Sequence, residues 1–80
     1  MVYHNPPANA SELKVGESGA IARISDDNMA CKLLAMGVLP GKKVTLVRRA
    51  GWGDTLYLRV ASHTLALRLS EAKQVELLIF

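Results

Sequence analysis

Apolar residues recur with a period of two through most of this chain, and the period breaks once. In Val44-Thr45-Leu46-Val47-Arg48-Arg49, Val44 and Leu46 share one side. Leu56, Leu58 and Val60 form one side of the next run, opposite Tyr57 and Arg59. Leu65, Leu67 and Leu69 repeat the pattern opposite Ala66 and Arg68. Alternation of this kind predicts half-buried β-strands. A shorter stretch from Ser18 to Ser25, with Ala20, Ile21, Ala22 and Ile24 against an outward Arg23, and a closing run Val75–Phe80 add two more. Between the first strand and Val44 the spacing changes to that of a helix, with Met29, Leu33 and Met36 at i, i+4 and i+7 and Ala30 and Leu34 beside them. Asp26, Asp27 and Asn28 offer capping oxygens at its start, Gly37 suits the left-handed C′ position, and Pro40 prevents resumption.

Turn chemistry separates these segments. Gly16 sits in Lys14-Val15-Gly16-Glu17, Pro40-Gly41 precedes the second strand, and Gly51-Trp52-Gly53-Asp54 joins the second to the third. Ala61-Ser62-His63 allows a tight hairpin, and Ser70–Lys73 reads as a helical turn. Residues 1–12, with Pro6-Pro7 among small polar residues, read as a flexible lead-in, and 13–80 as the domain. Five short antiparallel strands with one short helix between the first two predict a mainly β fold. Curling into a small SH3-like β-barrel removes exposed edges and turns the alternate leucines inward. An OB-like barrel has the same elements but usually carries its helix between the third and fourth strands.

Eighty residues allow one domain with a modest core. No apolar run approaches the ~20 residues that span a bilayer, and the N-terminus lacks a basic segment followed by an apolar one, so a cytoplasmic protein is expected. Ten Lys and Arg against seven Asp and Glu leave +3. That surplus is mild, and the only adjacent basic pairs are Lys42-Lys43 and Arg48-Arg49. It hints at an acidic partner. A small nucleic-acid-binding barrel is one reading of it, disfavoured because such binding needs clustered phosphate contacts and a stacking platform, and the chain has four aromatics.

Candidate chemistry is sparse. Lone Cys31 excludes an internal disulfide. His4 lies in the lead-in and His63 in a predicted turn without a neighbouring carboxylate; no nucleophile motif or metal-ligand spacing occurs. An enzyme is not expected, and neither is a cofactor or a bound metal; His63 with Glu71 is the one pair that could be offered for iron, and the spacing does not recommend it. Trp52, between two glycines at a loop tip, either folds down as a lid on the barrel or meets a partner. Arg49, Arg59 and Arg68 can occupy neighbouring outward positions as a basic stripe suited to carboxylate or phosphate. Val38 and Leu39, after the helix, are apolar residues expected to be exposed.

The chain resembles the ferrous iron transport protein A family, FeoA, collinearly from about Leu13 to Leu77. The likeness is carried by Leu13 with Gly16-Glu17, Ala20-x-x-Arg23-Ile24, and Leu33-x-x-Met36-Gly37-Val38-Leu39-Pro40-Gly41. It continues through Val44 with Val47-Arg48-Arg49-Ala50, Gly53-Asp54, Leu65-Ala66-Leu67-Arg68 and Glu71-Ala72. The loop departs from the family's Ala-Pro-Leu-Gly-Asp-Pro: both prolines are gone and Trp52 replaces the leucine. The resemblance implies a cytoplasmic SH3-like barrel that assists ferrous iron uptake beside FeoB, a permease with a cytoplasmic GTP-binding domain. Docking on the permease's cytoplasmic region is favoured over an arginine finger in nucleotide turnover, since a loop without its prolines is loosened. Expected contacts are Arg49, Trp52, Asp54, Arg59, Arg68, Val38 and Leu39. A free-standing relative of the SH3-like domain of iron-dependent repressors is the other family-level reading.

Overall fold

In a computed structural model that describes residues 7–78, the alternating segments pair into one antiparallel sheet. Its strands are β1 (Ser18–Ile24), β2 (Lys43–Ala50), β3 (Thr55–Val60), β4 (His63–Arg68) and β5 (Val75–Leu78), in the order β4-β3-β2-β1-β5. Helix α1 (Asp27–Ala35) follows β1, and the short α2 (Leu69–Ala72) joins β4 to β5. The expected closing strand is present through Leu78; Ile79 and Phe80 lie outside the described residues, as do Tyr3, His4 and Pro6.

Alternation places the core. Leu46, Leu56 and Leu58 are fully buried, Leu65 and Leu67 nearly so, and Ile21, Leu33, Val44, Val75 and Leu77 complete the cluster. Leu69, the third leucine of its series, is half-buried at the start of α2. The wall is SH3-like but not continuous, because ladder hydrogen bonds stop at β4 and β5. On the β5 side, Ala8 C=O accepts from Leu77 N–H at 2.9 Å and Asn9 bridges Glu76. A 3-10 helix over Ala10–Glu12 then packs against α2. The packed domain therefore begins before the expected boundary at Leu13: Ala10 is fully buried, and Asn9 caps this turn by accepting from Ser11 N–H at 3.0 Å.

Helix α1 starts as its sequence predicts, with Asp26 Oδ2 accepting from Met29 N–H at 3.3 Å. Met29 and Leu33 are buried, whereas Leu34 and Met36 remain exposed, so the buried stripe is narrower than the apolar one. At its C-terminus Gly37 takes φ 80°, Gly37 N–H donates to Leu34 O at 3.0 Å, and Val38 N–H donates to Leu33 O at 2.9 Å. This paired arrangement is a Schellman closure, and it tucks the residue after the glycine beside the helix's own apolar face. Val38 is consequently 3% exposed, and its expected exposure is corrected; Leu39 is half-buried.

Candidate functional site

The register of β2, β3 and β4 builds an outward face in three rows. Thr45, Arg59 and Thr64 form the first, Arg48, Tyr57 and Ala66 the second, and Ala50, Thr55 and Arg68 the third. Each row holds one arginine, and each arginine stands on a different strand. The Arg48 guanidinium lies 4.1 Å from the Tyr57 ring centre, a cation–π contact that orients both side chains. Among the described residues the ion pair present is Arg23–Glu76, at 3.5 Å on the neighbouring strands, and none involves this face. Arg48, Arg59 and Arg68 are thus exposed cations available to carboxylates.

Arg49 is not among them. The register of β2 on β3 shifts between Leu46 and Arg48, so that Val47 is an extra residue and every later side chain changes face. Arg49 then shares the inner side with Leu56. Its guanidinium donates to Ser11 O at 2.7 Å, Leu13 O at 3.0 Å and Gly53 O at 3.2 Å. The expected stripe of Arg49, Arg59 and Arg68 is corrected to Arg48, Arg59 and Arg68, with Tyr57 between them. Nothing in the local sequence marks the bulge, and strict alternation assigned the wrong one of two adjacent arginines.

At the end of the same face, the β2–β3 loop closes through Gly53 N–H to Ala50 O at 3.1 Å, and Arg49 braces it from below at Gly53 O. The loop contains no proline yet has this tether. Trp52, at its tip, is fully exposed (101%), so of its two readings the lid does not hold. Asp54 is exposed, and its carbonyl accepts from Leu69 N–H at 2.8 Å, anchoring the loop to α2. Trp52 and Asp54 thus stand in the loop that adjoins the Ala50, Thr55 and Arg68 row, while Leu39 lies elsewhere, in an apolar groove of about 310 Å³ with Ile24, Ala30, Leu34 and Pro40.

The two residues offered for iron are not brought together. His63 opens β4 and Glu71 lies in α2 beyond its far end, a strand length of about 17 Å apart. The Glu71 carboxylate accepts from Arg68 N–H at 2.8 Å. Among the described residues no group of three or more His, Cys, Asp or Glu could hold a metal ion, and no helix is long and apolar enough to cross a membrane.

Comparison with known proteins agrees with this architecture. The FeoA domain family model matches residues 9–77. The chain is 33% identical over 67 residues to the Fe(2+) transport protein A/Fe(2+) transporter FeoB fusion protein of Porphyromonas gingivalis, covering 82% of this chain. It spans only 8% of that relative's length. Among solved structures it is similar to zinc-complexed FeoA of Stenotrophomonas maltophilia, described as a prokaryotic SH3 domain protein, at 30% identity and a TM-score of 0.78, with 89% of each chain covered. A manganese-dependent transcriptional repressor shares the fold alone, at 22% identity and a TM-score of 0.79, over 92% of this chain and 42% of the repressor.

Proposed function

The chain belongs to the FeoA family of ferrous iron transport, and from that premise we propose that it is a cytoplasmic, non-enzymatic accessory protein that docks on the cytoplasmic region of a FeoB-type permease. The observation that carries this reading is the fusion relative, in which a segment similar to this chain is covalently joined to the transporter. Joining two proteins raises their effective concentration toward each other, which benefits only partners that meet. The outward face supplies the means. Trp52 offers a large exposed aromatic anchor, and Arg48, Arg59 and Arg68 supply charge for recognition and steering.

Docking is favoured over a role as an arginine finger by the occupation of Arg49. A finger needs a free guanidinium beside the reacting phosphate. Arg49, the arginine nearest the loop, directs its donors at three backbone carbonyls instead. The test is a pull-down of the permease's cytoplasmic region with this domain. Capture that weakens with added salt and with Arg59→Glu or Arg68→Glu supports the reading; no capture across several buffers rejects it.

A further inference from the structure

β4 ends the sheet, and among the described residues its second edge has no strand beside it. The turn Ala61-Ser62, with Ala61 at φ 55°, decides which groups face that edge. A two-residue turn makes Val60 and His63 a hydrogen-bonded pair, so Leu65 and Leu67 also direct their N–H and C=O toward β3. Thr64 and Ala66 direct theirs away from the sheet. Among the described residues, no backbone or side-chain group meets them. Arg68 N–H, next in the same row, is taken by Glu71 Oε1, which closes the edge where α2 begins.

Natural edge strands are usually blunted by lysine, proline, a bulge or a covering element. β4 carries no lysine or proline, and its pairing with β3 runs unbroken from Thr55–Arg68 to Val60–His63. At Thr64 and Leu65, the helix α1 end stands back from it. A trough of about 480 Å³ lies between the helix end and the strand, with Met36, Thr64 and Leu65 in its wall. A separate, narrower cleft of about 60 Å³ lies beyond Met36, with Lys32, Ala66 and Leu67 in its wall.

We propose that this edge accepts an extended acidic peptide segment as a sixth strand. Its apolar side chains enter the trough over Met36 and Leu65. Its carboxylates, on the outward side, face Arg68 and reach Arg59 across the small Thr64 and Ala66 side chains. The backbone supplies affinity and the alternating side chains supply selection, as in other strand-addition sites. Charge decides between this occupant and a second copy of the chain. Pairing β4 with itself would extend one sheet face bearing the arginine rows of two +3 chains, and like charges on one face oppose association.

The probe is the blocked eight-residue peptide of alternating Glu and Val, titrated into the ¹⁵N-labelled domain, with amide exchange as the readout. Thr64 and Ala66 amides exchange fast in the free domain and become protected with peptide, by about tenfold or more at saturation. Methylating the nitrogens of one residue set, all Glu or all Val, weakens binding by about tenfold or more, whereas methylating the other set does not, because alternate residues of a strand face opposite edges. Ala66→Pro, which removes an outward N–H but no β3 bond, has the same effect as the damaging methylation. Should that variant fail to fold, the methylated peptides carry the test on the wild-type domain. Equal tolerance of both methylations, tighter binding of an alternating Lys and Val peptide, or concentration-dependent protection of Thr64 and Ala66 without peptide would overturn the proposal. The last would assign the edge to self-association.

Discussion

Replacing Arg49 separates a structural role from a docking role for the strand arginines. Its guanidinium joins three carbonyls that are distant in sequence, on Ser11, Leu13 and Gly53, and so ties the N-terminal segment to the β2–β3 loop. Hydrogen bonds from a charged donor contribute about 1.5–3 kcal/mol each. The site is half-buried, so water recovers part of that when the donor is removed, and Arg49→Met should cost about 2–4 kcal/mol in total. For a domain of this size each kcal/mol moves Tm by about 4–8 °C, so the variant should melt roughly 8–32 °C lower. Urea unfolding followed by far-ultraviolet circular dichroism is the assay, because fully exposed Trp52 makes fluorescence a poor reporter. Because the acceptors are neutral carbonyls, the loss should persist unchanged from about 0.1 to 0.5 M salt. Arg49→Lys should recover less than half, since an ammonium cannot span three acceptors as the planar fork does. A loss below about 0.5 kcal/mol, the range of ordinary surface substitutions, or one that salt abolishes, would refute the assignment of Arg49 as a tether.

Further expectations follow from the same geometry. Val38→Ala should destabilise the domain by about 1–3 kcal/mol in the same urea assay, because it empties the apolar contact that closes α1; a neutral result would return Val38 to the surface. Gly51→Ala should cost about 1–2 kcal/mol, since Gly51 sits at φ 63° and an added Cβ would lie 2.7 Å from Asp54 Oδ1, forcing that carboxylate aside. Trp52→Ala should leave stability within about 0.5 kcal/mol of wild type while weakening capture of the permease region, as a fully exposed side chain contributes to binding and not to the core.

Much of the architecture was legible in the sequence. The period of two located β2, β3 and β4 and the helical period α1, short apolar runs marked β1 and β5, and Asp26 and Gly37 marked the helix ends because capping chemistry is local. Features set by one extra residue were not legible. The shift at Val47 reverses the side on which Arg48 and Arg49 emerge, yet leaves no compositional trace, so alternation placed Arg49 outward. Val38 was misplaced for a related reason: the turn at Gly37 reads as the end of a helix, while the return of the next side chain to the core depends on tertiary closure. Tyr57 beside Arg48 became visible only once strand register was known. The exposure of Trp52 was open on sequence alone, since a loop aromatic packs down or projects according to how its loop is anchored.

The proposed docking sets the outward face of β2, β3 and β4, with the Trp52 loop at its end, against the cytoplasmic region of a FeoB-type permease. Its most direct measurement is an amide and indole chemical-shift titration of the labelled domain with that region. Saturable shifts are expected at the Trp52 indole and along Arg48, Tyr57, Arg59 and Arg68, diminishing as salt is raised. Shifts confined to the groove around Leu34 and Leu39, or a spectrum unchanged at high partner concentration, would contradict it.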